Sequence, residues 1–196
     1  MQEHARSSSI FPIAYGIASS PGSWLNLSNT PFTLRRAELT DVQTLVDLRI
    51  AYLRELEGFS DDVDLDALAQ INRRYFIRKM PSGEYIAWVA IARPTASPEL
   101  RGRLHAKVIG TAGMFMVDRP PTVNTTHSRE ARLVNVYVAD AWRGKGVANA
   151  LIEACIETAK RADVGRILVD DTPKGRRIYE RAGFTIVNSI MELDTD

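Results

Sequence analysis

Apolar and polar positions along this chain alternate between two periods. Phe32-Thr33-Leu34-Arg35-Arg36 reads as a first strand. Thr40 then stands where a helix would be capped, and Val42, Leu45, Val46 and Leu53 recur at helical spacing until Gly58. A second helix is predicted from Asp61 to Lys79, acidic at its start and basic at its end, as the helix dipole favours. Pro81-Ser82-Gly83 makes a turn, and Glu84 to Ala92 is a strand around Ile86, Trp88 and Val89. Ala106 to Val117 is the next, with Gly110 and Gly113 allowing close approach or a bulge. Arg132 to Val138 follows as a strand, Gly144 to Ala162 as a long helix and Arg166 to Val169 as a short strand. Lys174 to Ala182 forms a helix closed by Gly183, and Phe184 to Glu192 a last strand. Residues 1–30, rich in Ser, Asn, Gly and Pro, read as a tail, with Trp24 and Leu25 able to pin it; residues 31–196 form the domain. The order predicts an α/β (α+β) fold: a mixed, mostly antiparallel sheet with helices on both faces.

Composition narrows the function only a little. The chain has 196 residues, 45% hydrophobic and 25% charged, with a net charge of +1. That balance gives no global case for nucleic acid. Cys155 is the single cysteine, so no internal disulfide forms, and its place in Leu151-Ile152-Glu153-Ala154-Cys155-Ile156 suits a packed side chain. No apolar run is long enough to span a membrane. The apolar patch from Ile10 to Ala18 is broken by Pro12 and Gly16, which argues against a signal peptide and for a cytoplasmic protein. His4, His105 and His127 lie far apart, and no metal is expected.

Candidate chemistry concentrates at Val138-Ala139-Asp140-Ala141-Trp142-Arg143-Gly144-Lys145-Gly146-Val147-Ala148. A strand there gives way to a glycine-bearing turn and then to a helix start. Backbone N–H groups at a helix start are unpaired and sit at the positive end of the dipole, so this turn is suited to a phosphate. A P-loop needs Ser or Thr after Gly144-Lys145, but Gly146 stands there. A dinucleotide turn needs a third glycine, but Asn149 occupies its place. The pyrophosphate turn of acyl-coenzyme A transferases, Gln/Arg-x-x-Gly-x-Gly/Ala, is matched by Arg143, Gly146 and Ala148.

Together with Gly175-Arg176-Arg177-Ile178-Tyr179-Glu180-Arg181-Ala182-Gly183-Phe184 downstream, that turn resembles the GNAT superfamily of N-acetyltransferases. Leu133-Val134-Asn135-Val136-Tyr137-Val138 is also similar to a subgroup whose fourth strand reads Leu-x-Asn-x-Tyr-Thr. The likeness is strongest from Arg132 to Phe184 and reaches back to Phe32. It implies a sheet of about six to seven strands. It further implies acetyl-coenzyme A as cosubstrate, its diphosphate held at Arg143, Gly144, Lys145, Gly146, Val147 and Ala148. The fourth strand is bulged and splayed in the family, so Val136 and Val138 should offer backbone groups to the pantetheine arm. The Val138 N–H is then the donor to the thioester carbonyl. Thr172 and Arg176 are expected beside the cofactor.

Tyr179 matches the family's acid in Tyr-x-x-x-Gly-Phe; a phenol stays protonated at neutral pH and can serve a leaving thiolate. Tyr137 is expected in the core. The base is open. Some relatives carry a carboxylate on the fourth strand, but Asn135 stands here and could hold a water or the substrate. Asp170 and Asp171 are alternatives, as is a water chain. The leading function is transfer of acetyl to a primary amine, small-molecule or protein, by direct attack in a ternary complex, with a homodimer among the arrangements the resemblance allows. A non-catalytic coenzyme A-binding regulatory module and a nicotinamide dinucleotide enzyme are the alternatives.

Overall fold

A computed structural model describes residues 27–57, 63–93, 107–123, 126–187 and 193. Among these residues five strands, against the six to seven expected, form one sheet in the order β1-β2-β3-β4-β5: β1 (Phe32–Arg36), β2 (Tyr85–Ala92), β3 (Val108–Asp118), β4 (Arg129–Val138) and β5 (Arg166–Val169). The first three pairings are antiparallel and β4–β5 is parallel. Helices α1 (Val42–Glu57) and α2 (Leu65–Lys79) precede β2; α3 (Val147–Arg161) links β4 to β5, and α4 (Arg176–Arg181) follows.

Helices cover both faces of the sheet, as its patterning predicts. Alternate residues of β2 point to opposite sides. Ile86, Trp88 and Ala90 meet Leu151, Ile152 and Cys155 of α3. Tyr85, Ala87 and Val89 meet Val42, Leu45 and Val46 of α1 and Phe76 of α2. Burial on both faces explains the near-continuous apolar run of β2. Polar groups deep in the α3 layer are paired: the Trp88 indole donates to the Thr158 hydroxyl at 3.0 Å, which in turn donates to the Ala154 carbonyl at 2.7 Å.

Several boundaries differ from the sequence reading. Thr40 does not cap α1. It lies inside a 3-10 turn, Leu39–Asp41, and Asp41 anchors the segment. The Asp41 carboxylate accepts the Glu38 N–H at 2.8 Å and both terminal nitrogens of Arg35 at 2.6 and 2.7 Å, a three-way role a hydroxyl could not fill. Helix α2 begins at Leu65 because Asp64 caps it, accepting the Ala67 N–H at 2.9 Å. β4 starts at Arg129, since its ladder with β3 runs on to Asp118. Ion pairs of Arg129 with Asp118 and of Glu130 with Arg119 and Arg166 hold those charged positions. Residues 184–187 are not in a strand; the rest of the expected last strand, Gly58, Asp61, Ala106 and nearly all of the tail lie outside the described residues.

Two tests follow from this packing. A β-carbon on Gly113 would lie 2.0 Å from the buried Tyr85 hydroxyl. Gly113→Ala should therefore lower stability by about 1–3 kcal/mol in urea unfolding; an unchanged midpoint would contradict the close approach. The bonds to Arg35 hold the Asp41 carboxyl below its usual range against the opposing effect of burial. Its contribution is present above the unfolded value of about 4 and disappears as pH falls through the lower folded value. Asp41→Asn should flatten the acid limb of a plot of melting temperature against pH, and parallel limbs would refute it.

Candidate active site

The site begins with strand geometry. β5 pairs with β4 only from Glu130↔Arg166 to Leu133↔Val169 and then stops, while β4 continues to Val138. Beyond Leu133 the two strands part. On the other side of β4 the register with β3 shifts: Gly113 pairs with Val134, but Thr111 pairs with Tyr137. Asn135 and Val136 thus oppose Ala112 alone, a β-bulge, and Asn135 takes a left-handed φ of +55°. A cavity of about 620 Å³ opens where the strands separate.

The bulge decides which groups face the cavity. The Ala139 N–H donates to the Ile109 carbonyl at 2.9 Å, so residues 109 and 139 are a hydrogen-bonded pair. In an antiparallel ladder such pairs alternate with pairs whose backbone groups point outward. The next pair, Gly110↔Val138, is of that second kind, which turns the Val138 N–H and carbonyl toward the side that β5 has left. The carbonyl accepts the Arg143 Nε–H at 3.0 Å. Val136, Tyr137 and Val138 all line the cavity.

The turn after β4 closes one end. Gly144 and Gly146 have φ of +75° and +78°, and a β-carbon on either would meet nothing within 4 Å. Glycine is required there by backbone conformation rather than by crowding. No side chain caps α3, and its first turn bond runs from the Ala150 N–H to the Gly146 carbonyl. The N–H groups of Val147, Ala148 and Asn149 therefore have no acceptor within the helix, and all three residues border the cavity beside Gly144 and Gly146.

Arg143 spans the opening. Its Nη2 lies 2.6 and 2.7 Å from the two carboxylate oxygens of Glu55 on α1 and 2.8 Å from Asp140, and its guanidinium sits 5.8 Å from the Tyr137 ring centre. Partial desolvation pushes the Glu55 carboxyl up, but the Arg143 bond, the Tyr137 hydroxyl and Lys174 together hold it below the usual range. The bond to Glu55 raises Arg143 in turn.

Tyr179 of α4 lines the facing wall. Burial, and secondarily Tyr52 and Asp170, push its phenol up to about 12. Its ring meets Phe184 edge-on at 5.9 Å. A β-carbon on Gly175 would fall 2.6 Å from that ring and 2.7 Å from the Thr172 hydroxyl, so this glycine seats the tyrosine. Thr172 itself borders the cavity, and its hydroxyl accepts the Gly175 N–H at 3.0 Å.

The remaining expected site residues divide. Lys145 and Arg176 do not line the cavity: the Lys145 ammonium lies 4.8 Å from the Trp142 ring centre, and Arg176 pairs with Asp171. Asn135 is buried at 5% exposure and faces inward. It donates to the Tyr85 hydroxyl at 3.1 Å and accepts from Arg49, whose Nε also donates to Asn72 at 2.8 Å. Asp170 pairs with Arg132, and neither it nor Asp171 borders the cavity. Tyr137 is not in the core. The extra bulge residue puts Leu133 and Val138 on one face, which leaves Tyr137 on the α1 side beside Glu55. Tyr52, Glu55 and Leu56 were not picked out by the sequence, although Tyr52 and Leu56 continue the inward stripe of Leu45 and Arg49. Cys155 is fully buried and its thiol is pushed up to about 12, an inert packed group.

The acetyltransferase (GNAT) family model matches residues 45–184, and the chain belongs to that family. It is an acyltransferase of a family whose cosubstrate is acetyl-coenzyme A. Among curated proteins none matches the sequence. Similar solved structures include a predicted acetyltransferase with acetyl-CoA from Clostridium acetobutylicum, 24% identical with a TM-score of 0.68, covering 83% of this chain and 96% of that one. A GCN5-related N-acetyltransferase from Ralstonia eutropha JMP134 is 20% identical with a TM-score of 0.67, covering 84% and 99%. Glucosamine-6-phosphate N-acetyltransferase from Arabidopsis thaliana is 17% identical with a TM-score of 0.57, covering 84% and 99%. These likenesses show the fold. No helix among the described residues is long and apolar enough to cross a membrane.

Gly146→Ala should cost about 1–2 kcal/mol through backbone strain alone. Urea unfolding measures this, and a loss near zero would mean that the turn is not left-handed there.

Proposed function

We propose that this protein moves an acetyl group from acetyl-coenzyme A to a primary amine by direct attack in a ternary complex. The observation that carries the reading is the bulged end of β4, parted from β5 and running directly into an uncapped helix start. Its unpaired N–H groups at Val147, Ala148 and Asn149, with Gly144 and Gly146 leaving the approach open, suit a diphosphate. The pantetheine arm then lies along β4 in place of the missing strand, bonded to the backbone of Val136 and Val138. The Val138 N–H polarises the thioester carbonyl; such a donor is worth about 100- to 1000-fold in rate. Thr172 borders the same channel and Arg143 adds positive charge. Lys145 and Arg176 give longer-range charge only.

Tyr179 acts on the leaving group. With its phenol at about 12 it is fully protonated at neutral pH. It is a weaker acid than a thiol of about 8.5, so it steadies the departing sulfur by a hydrogen bond and passes its proton over only as its oxygen takes the proton leaving the amide nitrogen. Asn135 holds the bulge rather than the substrate.

Coenzyme A should raise the melting temperature in a concentration-dependent way, whereas NADH should not. Thiol release with spermidine, tyramine and a lysine-bearing peptide tests turnover. Tyr179→Phe should lower kcat by about 100-fold or more with acetyl-coenzyme A affinity little changed. Binding without turnover on any amine would favour a regulatory module, and an unchanged rate in Tyr179→Phe would remove the phenol from the mechanism.

A further inference from the structure

Among the described residues that border the cavity, Glu55 is the only carboxylate, and Arg143, Lys174 and Arg181 are the cations. It sits in the last turn of α1 and borders the cavity together with Tyr137. Its two oxygens are taken by the guanidinium that the family pattern assigns to the diphosphate. Arg143 meets a second carboxylate, Asp140, at 2.8 Å. One cation thus carries two anions, and a diphosphate arriving at the start of α3 is a third and stronger competitor for it. The carboxylate with the freer environment to leave is Glu55, because Asp140 is tied to the same short turn as Arg143 whereas Glu55 reaches across from another element.

We propose that Glu55 is the residue that receives the acceptor's ammonium and takes its proton, and that its bond to Arg143 keeps it out of action until acetyl-coenzyme A is bound. This rests on the acetyl-transfer reading above. The diphosphate takes the Arg143 guanidinium, and the freed carboxylate stays beside the Tyr137 hydroxyl on the cavity wall. Removing Arg143 removes the main influence that holds Glu55 down, and Tyr137 and Lys174 are the other groups that act on it. Loading the cofactor therefore makes the base stronger at the moment an amine needs it. An ammonium then pairs with the one negative side chain that the described residues bring to the cavity.

The step balances. An ammonium gives one proton to Glu55, which passes it to water. The neutral amine nitrogen bonds to the thioester carbon and the carbon–sulfur bond breaks. Tyr179 protonates the sulfur and recovers the second nitrogen proton. The products are the amide, coenzyme A thiol and one released proton.

Glu55→Gln separates these roles. In calorimetry with coenzyme A and no amine, the variant should bind about 2- to 5-fold tighter than wild type, as expected for loss of an exposed competing ion pair. With the panel amine that wild type turns over, the variant should lose about 100-fold in kcat/KM at pH 7 and recover as pH rises toward the amine's own pKa. Retained or tighter coenzyme A binding also shows that the variant is folded. Unchanged or weaker coenzyme A binding overturns the lock. An unchanged rate at pH 7, or a loss that does not recover with pH, overturns the base. If wild type neither binds coenzyme A nor releases thiol, the acetyl-transfer reading itself fails, a result distinct from either.

Discussion

Asn135 holds a backbone conformation that few L-residues adopt, and the geometry of the cleft depends on its being held there. Left-handed backbone costs about 1–2 kcal/mol for most side chains and less for asparagine. Here the side chain is also bonded at both ends, its oxygen to Arg49 of α1 and its nitrogen to Tyr85 of β2, with Asn72 of α2 fixing Arg49 from behind. The bulge therefore draws on three elements besides its own strand. Its extra residue reverses the alternation of β4, so that Val138 joins Leu133 on the α3 face and Tyr137 turns to the α1 face. Strand β5 ends at Val169, level with Leu133, and the bulged end of β4 is left without a neighbour on that side.

Charge is laid out on that scaffold with the same dependence. The start of α3 carries no capping side chain, so its partial positive charge faces the cavity. Arg143 folds back onto the Val138 carbonyl, which fixes its stem while its tip reaches Glu55. α1 and the turn after β4 are tied together through that one guanidinium. On the far wall, the absence of a side chain at Gly175 lets Tyr179 sit against its own helix start, and burial there keeps the phenol protonated.

Much of this was legible in the residues. β1 and β5 fall where they are expected, and a strand-turn-helix does surround Arg143 to Ala148, although the helix starts at Val147 and not at Gly144, because Gly144 and Gly146 are left-handed. That turn is readable because it is made of contiguous backbone with glycine at its two left-handed positions. Tyr137 was misread because a bulge changes the parity of a strand without leaving a hydrophobic signature. The structural bonds of Asn135 were not legible, because its partners, Arg49 and Tyr85, lie far away in sequence. Thr40 looked like a cap because cap rules are local, whereas Asp41 is held by Arg35 on the neighbouring strand. Glu55 carried no motif; its position against Arg143 exists only once α1 is packed across β4.

On the proposed reading, backbone amides at the parted end of β4 and the start of α3 hold the cofactor. Titrating coenzyme A into isotopically labelled protein while following amide resonances tests it most directly. The largest shifts are expected at Val136, Val138, Gly144, Gly146, Val147 and Ala148. Shifts confined to other elements, with those six amides unmoved at saturation, would contradict it.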